Sequence, residues 1–174
     1  KQMIFHISAL PRSGTAWIAS VLNLCPDIMC VHEPVDGKVP VPEKAYRHNG
    51  QSGSHLLMPN VGRADLNVYI QRDPDECYNA TSVVMPVPMA DRDYWNKTLV
   101  RLATECQGNA DVVIFYENLF TIAAVRYLWE TISDEPFEQD KVAQMIGKNV
   151  QRQSLEYEIS DDSMNEMREF LTSR

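Results

Sequence analysis

At 174 residues and 44% hydrophobic content, the chain has the length of one domain and enough apolar side chains to bury a core, so a single domain is expected. Its 24 acidic and 16 basic residues give a formal charge of -8, so the surface as a whole repels a nucleic-acid backbone and any anion site must be local. No apolar run approaches the roughly 18 residues needed to cross a bilayer, so no membrane span is expected. Cys25, Cys30, Cys77 and Cys106 show no C-x-x-C spacing and no paired histidines, so reduced thiols rather than a metal site are expected. The chain opens on Lys1 rather than methionine, so a targeting segment could have been trimmed; a cytoplasmic location is the default expectation.

Gln2 to Ser8 is a short apolar run rich in strand formers. It leads through a Pro/Gly turn into Ala16 to Leu22, where Trp17, Ile18, Val21 and Leu22 recur at helical spacing before Pro26 and Asp27. Ile28 to Val31 reads as a second buried strand. From Asp36 to Asp65 the pattern dissolves into glycines (Gly37, Gly50, Gly53, Gly62), prolines and the basic or imidazole residues Lys38, Lys44, Arg47, His48, His55 and Arg63. This stretch is expected to be a long irregular insertion that contacts a ligand. Leu66 to Ile70 is a third strand ending at Arg72-Asp73-Pro74, whose proline turns the chain into a helix. A helix is expected over roughly Asp91 to Cys106, with Trp95, Leu99, Leu102 and Cys106 on one face, and Asp111 to Tyr116 supplies a fourth strand. Val125, Leu128, Trp129 and Ile132 form a helical stripe, and Met164, Met167, Phe170 and Leu171 form another behind a cap at Ser160 or Asp161.

Strands separated by helices imply an α/β domain, a central parallel sheet of four to five strands with helices on both faces, because each parallel crossover must be long enough to carry a helix. Such sheets bind ligands at the carboxyl ends of their strands, where Leu10 to Thr15, His32-Glu33 and Arg72 all fall.

A strand turning through Gly14 into a helix aims unpaired backbone N–H groups and the positive helix end at one point, which makes an anion site. A nucleotide triphosphatase loop reads G-x-x-x-x-G-K-[ST]. Aligned on Gly14, this chain has Ala9 at the first glycine, Thr15 at the lysine and Ala16 at the magnesium-binding hydroxyl. The cation sits within the loop instead, as Arg12, whose guanidinium can neutralise a leaving phosphate without a metal.

The run Leu10-Pro11-Arg12-Ser13-Gly14-Thr15-Ala16-Trp17-Ile18 resembles the 5'-phosphosulfate loop of sulfotransferases that use 3'-phosphoadenosine 5'-phosphosulfate (PAPS), which reads P-[KR]-S-G-T-[TS]-[WL]-L. His32-Glu33-Pro34 is similar to the H-E-P or S-E-P segments of carbohydrate-type and bacterial members, Arg72-Asp73-Pro74 to the family's R-[DN]-P segment, and Tyr116-Glu117-Asn118-Leu119 to its Y-E-[DN]-L segment. The resemblance spans about residues 3 to 132 and implies a three-layer domain of the P-loop type. It implies that Arg12 contacts the phosphosulfate, that Ser13, Gly14, Thr15 and Ala16 supply backbone donors, and that Trp17 lies near the adenine. Glu33 or His32 would be the base, and Arg72 would hold the 3'-phosphate. Where the family has a serine eight residues beyond that arginine this chain has Ala80, leaving Thr81 or Ser82 to substitute. Glu117 and Asn118 are expected to begin the helix that follows, with Leu119 as its anchor.

The expected activity is metal-free transfer of a sulfuryl group from PAPS, with PAP as product, to a hydroxyl or amine of a small molecule or carbohydrate, without nucleic-acid or membrane partners. Two alternatives stand beside it. One is a nucleotide-binding or interaction protein that kept the scaffold and lost the chemistry, which Ala16, Ala80 and a short tail favour. The other is a P-loop kinase, which the absent lysine and magnesium hydroxyl oppose.

Overall fold

The computed structural model describes residues 2–33, 47–58, 63–83 and 90–148. In chain order these form β1 (Met3–Ala9), α1 (Thr15–Leu22), β2 (Ile28–His32), β3 (His48–Gly53) with a 3-10 turn at Ser54–Leu57, and β4 (Leu66–Gln71). There follow α2 (Pro74–Ser82), α3 (Arg92–Tyr94), a π-helical stretch at Trp95–Val100, α4 (Arg101–Gly108), β5 (Val112–Phe115), α5 (Tyr116–Leu119), α6 (Ile122–Ile132) and α7 (Gln139–Met145). The strands make one parallel sheet in the order β2-β3-β1-β4-β5.

Side-chain alternation divides each strand between two apolar layers. Phe5, Ile7 and Ala9 of β1 and Leu66, Val68 and Ile70 of β4 pack with Trp17, Ile18, Val21, Leu22, Val125, Leu128, Trp129 and Ile132 of α1 and α6. Tyr69 points the other way, into a second cluster with Leu10, Leu57, Cys77, Trp95, Leu99 and Leu102. Helices therefore cover both faces, the three-layer α/β arrangement that the strand and helix pattern implies. The α6 stripe is buried as expected, and Trp95, Leu99 and Leu102 line the inner face of the helical run from 92 to 108, where Cys106 is half-buried. Among the described residues no helix is long and apolar enough to cross a membrane. The second expected stripe, Met164 to Leu171, and its cap lie outside the described residues.

The stretch expected to be an irregular insertion is corrected by β3, which sits between β2 and β1. Its sequence, His48-Asn49-Gly50-Gln51-Ser52-Gly53, has neither an apolar run nor alternation, yet all six residues are buried. Register explains how. Phe5 of β1 pairs with Gly50, and a Cβ built on Gly50 would lie 2.1 Å from Phe5 Cε2, so the aromatic ring takes the volume that a side chain on β3 would otherwise fill. His48, the first residue of the strand, lies 3.5 Å from Asp27, while Arg47 pairs with Asp134. Those two basic residues stand at the amino end of the sheet, away from the site. Lys38 and Lys44 lie outside the described residues.

Candidate functional site

The carboxyl end of β1 runs into a loop with two left-handed residues, Arg12 at φ 67 and Gly14 at φ 80. For Arg12 that conformation costs roughly 1–2 kcal/mol, so its surroundings must hold it. They do so from three sides. The Arg72 guanidinium donates to the Arg12 carbonyl, the Ser13 hydroxyl lies 3.3 Å from Cys77 Sγ of α2, and the Ser52 hydroxyl of β3 donates to the Thr15 carbonyl at 2.9 Å. Ser13 and Thr15 are buried as a result, leaving Arg12, Gly14 and Ala16 partly exposed. Gly14 caps α1 without any side-chain hydrogen bond, and the first turn carries no acidic residue. The N–H groups of that turn have no intrahelical partner and the positive helix end is uncompensated, so the loop can take an anion.

Arg72 is placed by the Arg-Asp-Pro sequence itself. Asp73 is the cap of α2, its carboxylate accepting from Asp75 N at 2.9 Å and Glu76 N at 3.0 Å, with Pro74 in the first turn. Arg72 therefore leaves β4 at a fixed angle. Its guanidinium lies 4.1 Å from the centre of the Tyr116 ring and its Nε lies 3.4 Å from Glu76 Oε2, with 17% of the side chain exposed. The Tyr-Glu-Asn-Leu segment forms a helix of its own, α5, rather than the start of α6, because Thr121 caps α6 through its hydroxyl. Leu119 is fully buried under the loop, where a Cβ on Gly14 would meet its Cδ2 at 2.7 Å.

Two expected contacts are not offered by these placements. Trp17 is only 4% exposed, with its indole N–H donating to the Met145 carbonyl at 3.0 Å and its ring against Phe120, so it is a core residue rather than a surface for adenine. The Thr81 hydroxyl is fully buried and donates to the Cys77 carbonyl at 2.7 Å, spent within its own helix. Ser82 is partly exposed and bonds back to the Asn79 carbonyl at 3.3 Å.

Opposite the loop, Glu33 leaves β2 with a positive φ of 43 and its carboxylate accepts from Ser54 N at 3.3 Å and Ser54 Oγ at 2.8 Å. His32 Nδ1 lies 3.4 Å from Ser52 Oγ. A residue from the stretch expected to be irregular joins this corner. His55, in the 3-10 turn after β3, has Nε2 2.8 Å from Gln51 Oε1. A Cβ on Gly53 would lie 2.5 Å from Glu33 Cγ and 2.7 Å from His55 Nδ1, so carboxylate arm and imidazole converge on one corner. The His55 Nδ1 is buried without a hydrogen-bond partner. Recognising β3 would have exposed this, since His55 then falls just past a strand's carboxyl end.

Burial lowers both imidazoles, His32 and His55, below their ordinary value of 6.5, against the opposing pull of Glu33. His6, beside Gln51 in the sheet register, is lowered by burial and then by His55. The corner therefore offers imidazoles that favour the neutral, proton-accepting form near pH 7. Burial raises the Cys77 thiol, which stays protonated beneath the loop. Among the described residues no group of three or more His, Cys, Asp or Glu side chains is arranged to hold a metal ion. A scan of protein-family models and a search of curated proteins each found nothing that matches this chain.

Proposed function

We propose that the protein is a sulfotransferase that moves a sulfuryl group from PAPS to a hydroxyl or amine of a small molecule or sugar. The observation that carries this reading is the meeting, at the carboxyl edge of one parallel sheet, of a glycine-headed loop containing its own arginine with a carboxylate and imidazoles across from it. Arg12 and the first-turn N–H groups of α1 would bind the 5'-phosphosulfate and stabilise charge on the phosphate as the sulfur–oxygen bond breaks. Glu33, His32 or His55 would take the acceptor's proton as its oxygen or nitrogen bonds to sulfur, and PAP departs with the electron pair of the broken bond. Arg72 would hold the 3'-phosphate in place of its Glu76 partner, with Ser82 the partly exposed hydroxyl on the next helix. The 5' side of the donor fits these residues better than the 3' side, because Thr81 is buried and Ala80 has no hydroxyl.

A second reading, a scaffold that binds nucleotide without turnover, draws on that same weakness at the 3' side. Calorimetric titration with PAP and PAPS, set against ATP with magnesium, separates the readings. Tight binding of the 3'-phosphorylated nucleotides is expected, with sulfuryl transfer to an acceptor panel that Arg12→Ala abolishes while the fold survives. Full transfer by Arg12→Ala would overturn the assignment, preference for magnesium-ATP would point to a kinase, and binding without transfer would favour the scaffold.

A further inference from the structure

Arg72 is doing something other than waiting for a phosphate. Its guanidinium donates to the Arg12 carbonyl, lies against Tyr116, and presents Nε to Glu76. The carbonyl it holds belongs to the loop's one non-glycine residue in a left-handed conformation. A β-carbon disfavours that conformation, so without a partner the Arg12 peptide would relax and turn the following N–H groups away from a common point. We infer that Arg72 is a positioning residue for the anion loop, clamping Arg12 so that the donors of residues 13–16 converge before any ligand arrives. Tyr116 backs the clamp, its ring centre 4.1 Å from the guanidinium carbon, a contact that suits arginine better than lysine. The two ends of a bisphosphorylated nucleotide are thereby coupled through one side chain, since a phosphate that draws Arg72 from Glu76 acts on the group that shapes the loop.

The inference goes beyond the sulfuryl-transfer reading and rests on it only for the identity of the anion. Amide hydrogen exchange on the unliganded protein tests it directly. In Arg72→Ala the amides of residues 13–16 should exchange about tenfold faster, the effect of losing a charge-assisted hydrogen bond, while those of β1 and β4 stay at wild-type rates. Affinity for inorganic pyrophosphate, which has no 3'-phosphate, should fall by about tenfold in the same variant. Arg72→Lys, which keeps a cationic donor but not the guanidinium contact with Tyr116, should restore only part of the protection. Unchanged loop exchange together with unchanged pyrophosphate affinity, and a loss confined to adenosine 3',5'-bisphosphate, would show Arg72 to be a ligand for the second phosphate and overturn the clamp. Faster exchange throughout the sheet in both variants would also overturn it, by making Arg72 a general stabiliser. If wild-type protein binds neither pyrophosphate nor PAPS, the sulfuryl-transfer reading fails, and exchange in Arg72→Ala still decides the clamp.

Discussion

Replacing Gly14 with alanine tests the loop geometry on which the candidate site depends. Gly14 has φ 80, and an added Cβ would lie 2.7 Å from Leu119 Cδ2 and 3.1 Å from Phe120 Cζ. The left-handed conformation alone costs alanine about 1–2 kcal/mol. Carbon atoms in contact prefer about 3.5–4.0 Å, so Leu119 must retreat by roughly 1 Å within a packed core, and overpacking of that kind costs about 1–3 kcal/mol. Leu119 is fully buried, so it has little freedom to retreat. The substitution should therefore remove about 2–5 kcal/mol from a domain whose whole stability is about 5–15 kcal/mol. Urea denaturation measures the loss as a lower midpoint at unchanged slope. In a Leu119→Val background, where the offending methyl is withdrawn, the same substitution should cost at least 1 kcal/mol less, about the coupling expected of residues in contact. A loss below about 0.5 kcal/mol, the range of a featureless surface change, or strict additivity of the two substitutions would refute the reasoning.

Gly50→Ala places a Cβ 2.1 Å from the Phe5 ring, which is fully buried, so the variant should lose about 3 kcal/mol or more and express poorly; a wild-type melting temperature would show that β3 is not seated against Phe5. Glu76→Gln removes the carboxylate beside Arg72 Nε and should tighten adenosine 3',5'-bisphosphate about twofold to fivefold while leaving pyrophosphate unchanged, as suits an exposed and weak ion pair; equal binding of the bisphosphate by both proteins counts against Arg72 as its partner. His6, His32, His48 and His55 are all lowered from 6.5, chiefly by burial, so the unfolded chain takes up protons that the folded protein refuses. Their stability contribution is complete above pH 6.5 and declines as the pH falls through that value toward the folded ones, so the urea midpoint should be lower at pH 5.5 than at pH 7.5. Asp27, held below its ordinary 3.8 by Ser133, Cys25, His48 and Arg47 despite its burial, does not titrate in that window, and a midpoint that rises on acidification would contradict the assignment of neutral imidazoles.

What could be read from the sequence followed the strength of its patterns. β1, β2, β4 and β5 declare themselves as apolar runs, and α6 by a stripe that recurs at helical spacing, because burial against a sheet demands that spacing. The loop from Leu10 to Thr15 was legible for a different reason, since few sequences need a glycine at the head of a helix just after a strand. Its interior was not. Nothing in the residue types says that Ser13 faces Cys77 or that Trp17 bonds to Met145, because those contacts join positions 64 and 128 residues apart. Thr81 looked available from its distance to Arg72 alone, but a hydroxyl four residues beyond Cys77 in a helix finds that carbonyl before any ligand.

β3 shows why the missing strand and the missing site residue were the same problem. A central strand of a parallel sheet is normally an apolar run, because both of its faces are covered. Here the strand is polar, and His48, Gln51 and Ser52 each meet a polar group of a neighbouring element. His48 meets Asp27 at the amino end, Ser52 holds the Thr15 carbonyl, and Gln51 meets His55 at the carboxyl end, while Gly50 makes room for Phe5. Burying such groups is costly unless each is paired, and apolar side chains would have stabilised the sheet more simply. The cost falls where the loop and the Glu33–His55 corner draw their supports, and a local violation of the folding pattern is what a functional or strained place is expected to show. Hydrophobic patterning detects what the core needs, so it is blind to a strand whose side chains are committed to holding a loop and a turn.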